Sequence, residues 1–171
     1  RGGMIWLALI AQAGLANTGY LYLPSPDQAR IDRSFSMIAI DTPLILARPR
    51  LKPAVSGDCA TACEWMDRDG VRYSFRGETA GRQYLVAKTV RAADYVWKSI
   101  PALGIGQARD RALVIAAVQR QVRGLRLDCA PASASGGTET CRADLKPGWI
   151  TLSFQADGKL IDATLVGYPA P

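Results

Sequence analysis

Residues 149–166 read Trp-Ile-Thr-Leu-Ser-Phe-Gln-Ala-Asp-Gly-Lys-Leu-Ile-Asp-Ala-Thr-Leu-Val and carry the strongest structural signal in the chain. Apolar and polar residues alternate on both sides of Asp157-Gly158. This pattern predicts two strands, Trp149–Gln155 and Lys159–Val166, joined by a two-residue type I′ turn. Ile150, Leu152 and Phe154 share one face of the first strand, and Ile161, Ala163 and Leu165 are expected to supply the facing row of the second. The hairpin is therefore expected to bury one face.

A second hairpin is predicted in the first half of the chain. Val71–Arg76 alternates apolar and polar residues directly after the turn signal Asp69-Gly70, and Gln83–Arg91 supplies a partner strand. Val71, Tyr73 and Phe75 share one face, which is typical of a half-buried strand.

The two halves repeat one order of features. Cys63 is followed seven residues later by Gly70 and then by a strand that ends at Phe75. Cys141 is followed seven residues later by Gly148 and then by a strand that ends at Phe154. We interpret this similarity as a tandem repeat of one β-rich unit, whose two copies, at 34–100 and 101–171, pack on each other. Coincidence is the alternative, because few positions are identical.

The remaining segments predict one main helix, at Gln107–Val122. Its apolar stripe is expected to be Ala108, Ala112, Ile115, Val118 and Val122, and Gly124 ends it. Prolines favour a loop over residues 17–33. Further strands are expected at Ser34–Ile40, Leu44–Ala47 and Leu125–Cys129. The predicted fold class is α+β, an antiparallel sheet with one main packed helix.

Composition excludes several functions. The chain has 171 residues, 49% of them hydrophobic, and no histidine, which removes Ser-His-Asp, Cys-His and histidine-ligated metal mechanisms. Its net charge of +6 comes from dispersed cations, without a nucleic-acid-binding motif. We therefore expect no nucleic acid partner, whereas a peripheral membrane contact through the basic surface stays open.

Residues 1–16 are typical of a secretory signal peptide. A leading arginine precedes an apolar stretch of about a dozen residues, and Ala11-Gln12-Ala13 matches an A-x-A cleavage site. An N-terminal core helix or strand is the alternative. Residues 17–171 are then expected to form a single exported domain, periplasmic or secreted.

The four cysteines support export. Cys59 and Cys63 are close in sequence, as are Cys129 and Cys141, so local pairing into two disulfides is the first choice, and a crossed pairing is the alternative. Zinc is a further alternative, but the spacings and the apparent export argue against it. We predict no metal and no cofactor.

Residues 103–166 resemble a known family. Leu103-Gly104-Ile105-Gly106, an amphipathic helix, a disulfide-linked strand pair and Phe154-Gln155-Ala156-Asp157-Gly158-Lys159-Leu160 are similar to the small lipoproteins of outer-membrane assembly and the β-lactamase-inhibitor proteins. A fainter echo lies at 59–91. The chain departs from that family in having one convincing helix and no lipid-carrying cysteine. The resemblance implies a sheet surface that docks on another protein.

The candidate binding residues are aromatic. Trp65, Tyr73 and Trp149 are of the types that dominate binding hot spots, and the alternative is that they are core aromatics that cover the disulfides. The sequence thus predicts a protein-binding module of the bacterial envelope or secreted fraction, with no catalytic residue. The alternatives are a histidine-free hydrolase that uses carboxylates in a sheet cleft, and a structural subunit of an envelope assembly.

Overall fold

The computed structural model describes residues 22–53, 56–57, 59–78, 81–94, 103–104, 109–131 and 137–168. Its strands are β1 (Ala62–Met66), β2 (Val71–Arg76), β3 (Tyr84–Arg91), β4 (Asp128–Ala130), β5 (Glu139–Asp144), β6 (Trp149–Phe154) and β7 (Leu160–Val166). Its helices are α1 (Pro26–Phe35), α2 (Leu44–Ala47) and α3 (Arg111–Gln121), with a 3-10 turn at Arg48–Arg50. All strand pairs are antiparallel and form one sheet in the order β1-β2-β3-β7-β6-β5-β4. The predicted α+β class with two disulfides is confirmed.

The sheet consists of two three-stranded meanders, β1-β2-β3 and β5-β6-β7, which meet through their third strands. At this junction Thr89 pairs with Thr164, and their hydroxyl oxygens lie 3.0 Å apart. Both meanders shift register at a Ser-Phe dipeptide, Ser74-Phe75 in β2 and Ser153-Phe154 in β6. The repeated order predicted from the sequence is therefore present in the sheet, and an approximate two-fold axis passes near the Thr89–Thr164 pair.

The predicted hairpins β2–β3 and β6–β7 are confirmed, but the type I′ turn is wrong. A type I′ turn needs positive φ at both central residues. Only Gly158 has it (φ 80°), since Asp157 lies outside the left-handed region. The Gly158 N–H donates to the Gln155 carbonyl, and the Gln155 N–H donates to the Lys159 carbonyl. The chain thus makes a type I turn followed by a left-handed glycine.

The predicted loop over 17–33 and strand over Ser34–Ile40 are wrong where the structure describes these residues, because α1 occupies 26–35. Pro26 stands in the first turn, where its missing N–H costs nothing, and the Ser25 hydroxyl accepts the N–H of Gln28 at 3.2 Å. The buried positions are Gln28, Ile31, Asp32 and Phe35. Two of these four are polar, so the buried face of α1 does not show the apolar periodicity by which a helix is recognised in a sequence.

Smaller elements also differ from prediction. Leu44–Ala47 is a helical turn instead of a strand, and the strand expected at Leu125–Cys129 is shifted to Asp128–Ala130. β1 and β5, which carry Cys63 and Cys141, were not predicted as strands. Each pairs with a predicted strand, β1 with β2 and β5 with β6, so the pairing in the folded sheet decides them.

Helix α3 is in the predicted place with a different buried face. Val114, Ala117 and Val118 are buried, whereas Ala112 is exposed and Ile115 is half-buried. Val122 is buried just after the helix ends. Ala108 lies outside the described residues. Seven consecutive residues from 112 to 118 are apolar, so periodicity cannot fix which face turns inward.

The core lies between the helices and one face of the sheet. Alternate residues of the strands point into it, and the largest fully buried ones include Tyr73, Phe75, Leu85, Ile150, Leu152, Phe154 and Leu165. The opposite face carries polar and charged residues, such as Arg72, Arg142 and Thr164, together with Trp149. Residues 1–16 lie outside the described part of the chain, so the signal peptide stays a prediction. Among the described helices none is long and apolar enough to cross a bilayer.

Candidate functional site

A groove of about 1020 Å³ opens at one end of the helical layer. Three chain segments form it: the end of α1 with the residues that follow, 33–38; the segment after the 3-10 turn, 49–52; and the β1–β2 turn, 67–69. Val71 and Tyr73 of β2 lie at its base. We call this site the basic groove.

The β1–β2 turn is held rigidly by Asp67. One oxygen of its carboxylate accepts the backbone N–H groups of Asp69 (2.9 Å) and Val71 (3.0 Å). The other accepts the hydroxyl of Tyr73 at 2.7 Å. Gly70 has φ 90°, and the turn repeats the hydrogen bonds of the β6–β7 turn. The local reason is again an Asp-Gly pair, because glycine adopts positive φ at little cost.

The opposite wall is also anchored to the sheet. The Lys52 N–H donates to the Met66 carbonyl of β1 at 2.7 Å, and the Leu51 N–H closes the 3-10 turn on Arg48. The base of the groove is apolar, since Phe35, Ile38, Val71 and Tyr73 are buried. Met37 stands at the rim with 83% of its surface exposed. A ligand would therefore meet preformed walls and an exposed methionine.

The charge of the groove is positive. Four cations, Arg33, Arg50, Lys52 and Arg68, line it together with two carboxylates, Asp67 and Asp69. Arg68 lies 3.9 Å from Asp69, and both side chains are mostly in water, so this ion pair is weak. Arg33, Arg50 and Lys52 form no ion pair with any other residue that the structure describes. The groove therefore presents cations that are free to meet an anionic ligand.

The three predicted aromatic residues are dispersed. Tyr73 lies at the base of the groove, fully buried. Trp65 is only 9% exposed; its indole N–H donates to Cys59 Sγ at 3.3 Å, and the Arg48 guanidinium lies 5.6 Å from the ring centroid. Trp65 thus covers a disulfide, as the alternative interpretation stated.

Trp149 lies on the other face of the sheet. It is half-buried, and the guanidinium of Arg142 sits 4.3 Å from its ring centroid. The structure therefore does not bring Trp65, Tyr73 and Trp149 into one site. A binding role for Trp149 stays a prediction.

The cysteines form the predicted local pairs, Cys59–Cys63 and Cys129–Cys141. Cys129 and Cys141 also lie beside Glu139, an arrangement that could suggest a metal site. Both sulfurs belong to the disulfide, so neither is a thiolate and Glu139 alone would remain as a ligand. The two disulfides indicate an oxidising compartment outside the cytoplasm.

Sequence reasoning missed the groove, although part of its signal was visible. Arg50 and Lys52 belong to a dense run, Arg48-Pro49-Arg50-Leu51-Lys52, which was interpreted as dispersed surface charge. Arg33 and Arg68 come from distant segments, and only the fold brings them to the same opening.

Among known proteins, no family model, no curated protein and no solved structure matches the chain.

Proposed function

We propose that this protein is an exported protein-binding module of the bacterial envelope or secreted fraction, and that the basic groove receives an acidic segment of its partner. The observation that carries the proposal is the convergence of Arg33, Arg50 and Lys52, unpaired among the described residues, above an apolar base. The two disulfides and the signal-like residues 1–16 support the exported location.

The shape of the groove suits a short peptide. Small-molecule pockets reach about 1,000 Å³ at their upper end, so this volume admits several residues of an extended chain. Carboxylates of that chain would face the cations, and one apolar side chain would pack beside Met37 and Leu51. Each exposed ion pair contributes at most about 1 kcal/mol, so the affinity should be modest and should fall with salt.

The structure favours binding over carboxylate catalysis. Of the two acids in the groove, Asp67 is engaged by three donors that fix the turn, and Asp69 is half-exposed beside Arg68. The resemblance of residues 103–166 to lipoprotein and inhibitor families that act by docking points in the same direction.

A peptide titration tests the proposal. The probe is a labelled peptide in which glutamates flank a leucine, compared with its glutamine counterpart, and binding is followed by fluorescence anisotropy at 50 and 500 mM salt. We expect the acidic peptide alone to bind, at low salt, and the double variant Arg33→Glu/Arg68→Glu to lose at least tenfold in affinity.

The matched control is Arg123→Glu/Arg126→Glu, which makes the same charge change at two exposed arginines outside the groove. It should bind almost as the unchanged protein does. Equal losses in both variants would show a nonspecific charge effect, and no binding of either peptide would reject the groove as a peptide site.

A further inference from the structure

Two large apolar side chains stand side by side in water on helix α2. Ile45 is 73% exposed and Leu46 is 68% exposed, whereas their neighbour Ala47 is buried. Single exposed apolar residues are common on protein surfaces. An adjacent isoleucine and leucine on one helical turn form a small apolar patch, and such patches mark surfaces that bind another molecule or a membrane.

The residues that follow are basic. Arg48, Arg50 and Lys52 are all exposed, and no acidic residue occurs from Thr42 to Gly57. The segment Ile45–Lys52 therefore has an apolar tip at one end and three cations at the other, without a carboxylate of its own to neutralise them. We call it the Ile45–Lys52 strip.

The strip is fixed to the body of the protein at both ends. The Leu44 N–H donates to the Gln83 carbonyl at 2.9 Å, and the Lys52 N–H donates to the Met66 carbonyl at 2.7 Å. Because the backbone is already ordered, contact with a surface would cost little additional conformational entropy.

We propose that the Ile45–Lys52 strip docks the protein on an anionic lipid bilayer. Ile45 and Leu46 enter the boundary between headgroups and acyl chains, and Arg48, Arg50 and Lys52 face the lipid phosphates. An apolar tip flanked by cations is the pattern of proteins that lie on membranes, and anionic headgroups complement the charge. Because the strip itself contains no acid, its uniformly positive charge complements a uniformly anionic lipid surface.

This docking can be tested separately from the peptide binding proposed for the groove. Arg50 and Lys52 belong to both surfaces, but Ile45 and Leu46 do not line the groove. Variants at these two positions can therefore separate the two proposals.

Vesicle sedimentation tests the docking. The full chain is mixed with vesicles of phosphatidylcholine alone or with one-quarter phosphatidylglycerol, at 50 and 500 mM salt. We expect binding to the anionic vesicles at low salt, weakened at high salt. The variant Ile45→Ser/Leu46→Ser should bind about tenfold more weakly and keep its circular dichroism spectrum and its peptide affinity.

The control variant is Leu23→Ser/Leu113→Ser, which removes two other exposed leucines. It should sediment like the unchanged protein. The proposal is overturned if the unchanged protein does not bind anionic vesicles, or if the two variants lose binding equally. It is also overturned if the Ile45/Leu46 variant loses peptide affinity while vesicle binding persists, because the patch then faces a protein.

Discussion

The ammonium of Lys88 lies 2.7 Å from the carboxylate of Asp32, and both side chains are buried between helix α1 and strand β3. Lys88 Nζ also donates to the carbonyl oxygens of Asp32 (3.0 Å) and Ser36 (3.2 Å), where α1 ends. The Lys88 ammonium therefore satisfies carbonyl groups at the C-terminal end of α1 and links this helix to strand β3. Since α1 leads directly into the residues that wall the basic groove, this pair also positions the site.

Replacing Lys88 alone should destabilise the fold strongly. Burial lowers the pKa of Lys88, and the Asp32 carboxylate beside it opposes that shift, so each charge is tolerated because of the other. Lys88→Met leaves the carboxylate buried and unpaired, and we expect the free energy of unfolding to fall by about 3–5 kcal/mol. Urea denaturation measures this change.

The double variant Asp32→Asn/Lys88→Met is the control. Asparagine keeps an oxygen to accept the Ile40 N–H, which Asp32 accepts at 3.0 Å. The double variant should regain part of the loss. Two strictly additive losses would contradict a coupled pair.

Removing the Tyr73 hydroxyl should loosen the β1–β2 turn. Tyr73→Phe leaves the buried ring in place and deletes the 2.7 Å hydrogen bond to Asp67. We expect a loss of about 1–2 kcal/mol in unfolding free energy and weaker binding of the acidic peptide, because Arg68 and Asp69 follow Asp67 in the turn. Unchanged stability with unchanged peptide affinity would refute this role.

The two disulfides should contribute unequally to stability. Cys129 and Cys141 are 12 residues apart and close a loop whose restriction in the unfolded chain stabilises the fold by about 3 kcal/mol. Cys59 and Cys63 are 4 apart, so the same argument gives about 2 kcal/mol. Thermal unfolding of Cys129→Ser/Cys141→Ser and Cys59→Ser/Cys63→Ser compares them, and an unchanged melting temperature in the first variant would be the contrary result.

The β6–β7 turn should reject a branched side chain at Gly158. The residue has φ 80°, and the nearest atom to an added Cβ is Arg111 Cβ at 3.9 Å, so only the backbone conformation opposes substitution. Gly158→Val should cost about 1–2 kcal/mol, whereas Gly158→Asn should cost clearly less because asparagine tolerates this region. Equal unfolding midpoints for the two variants would argue against the left-handed turn.

Asp41 should make stability depend on pH in a defined direction. Burial raises the pKa of this carboxyl above 3.8, and the Tyr168 hydroxyl at 3.4 Å offsets only part of the effect. The folded state therefore binds more protons than the unfolded state between 3.8 and the raised pKa, so the contribution of Asp41 to stability increases as pH falls through that window.

The variant Asp41→Asn removes this titration. At pH 7 it should be more stable than the unchanged protein by at most about 1 kcal/mol, since the site is partly solvated. The difference should shrink as the pH is lowered to 3.8. Denaturation at several pH values checks it, and a difference that grows on acidification would reverse the sign of the argument.

The hairpins were predictable because their information is local. Apolar and polar residues alternate in β2, which follows one Asp-Gly pair, and in β6, which precedes another. Both the strand and the turn can therefore be identified within a few residues. The local cysteine pairing was predictable for the same reason. The type of the β6–β7 turn was not, because Asp157-Gly158 is compatible with more than one turn geometry and only the φ of Asp157 distinguishes them.

Helix α1 and the groove could not be predicted, and the reason is physical. Gln28 and Asp32 are buried because their partners lie far along the chain: the Gly167 carbonyl, just after β7, and Lys88 of β3. A polar residue is predicted to be exposed until its distant partner is known. The cations of the groove, Arg33, Arg50 and Arg68, likewise meet only after three separate segments pack together.

The sequence by itself determined the strand alternation, the glycine turns, the local disulfides and the repeated order of cysteine, glycine and strand, because each depends on residues that lie close together in the chain. Tertiary structure decided that the two meanders join at Thr89 and Thr164, that Lys88 is buried against Asp32, and that scattered arginines line one groove. These features depend on long-range pairing, whose free energy comes from burial and from polar partners that no local pattern contains.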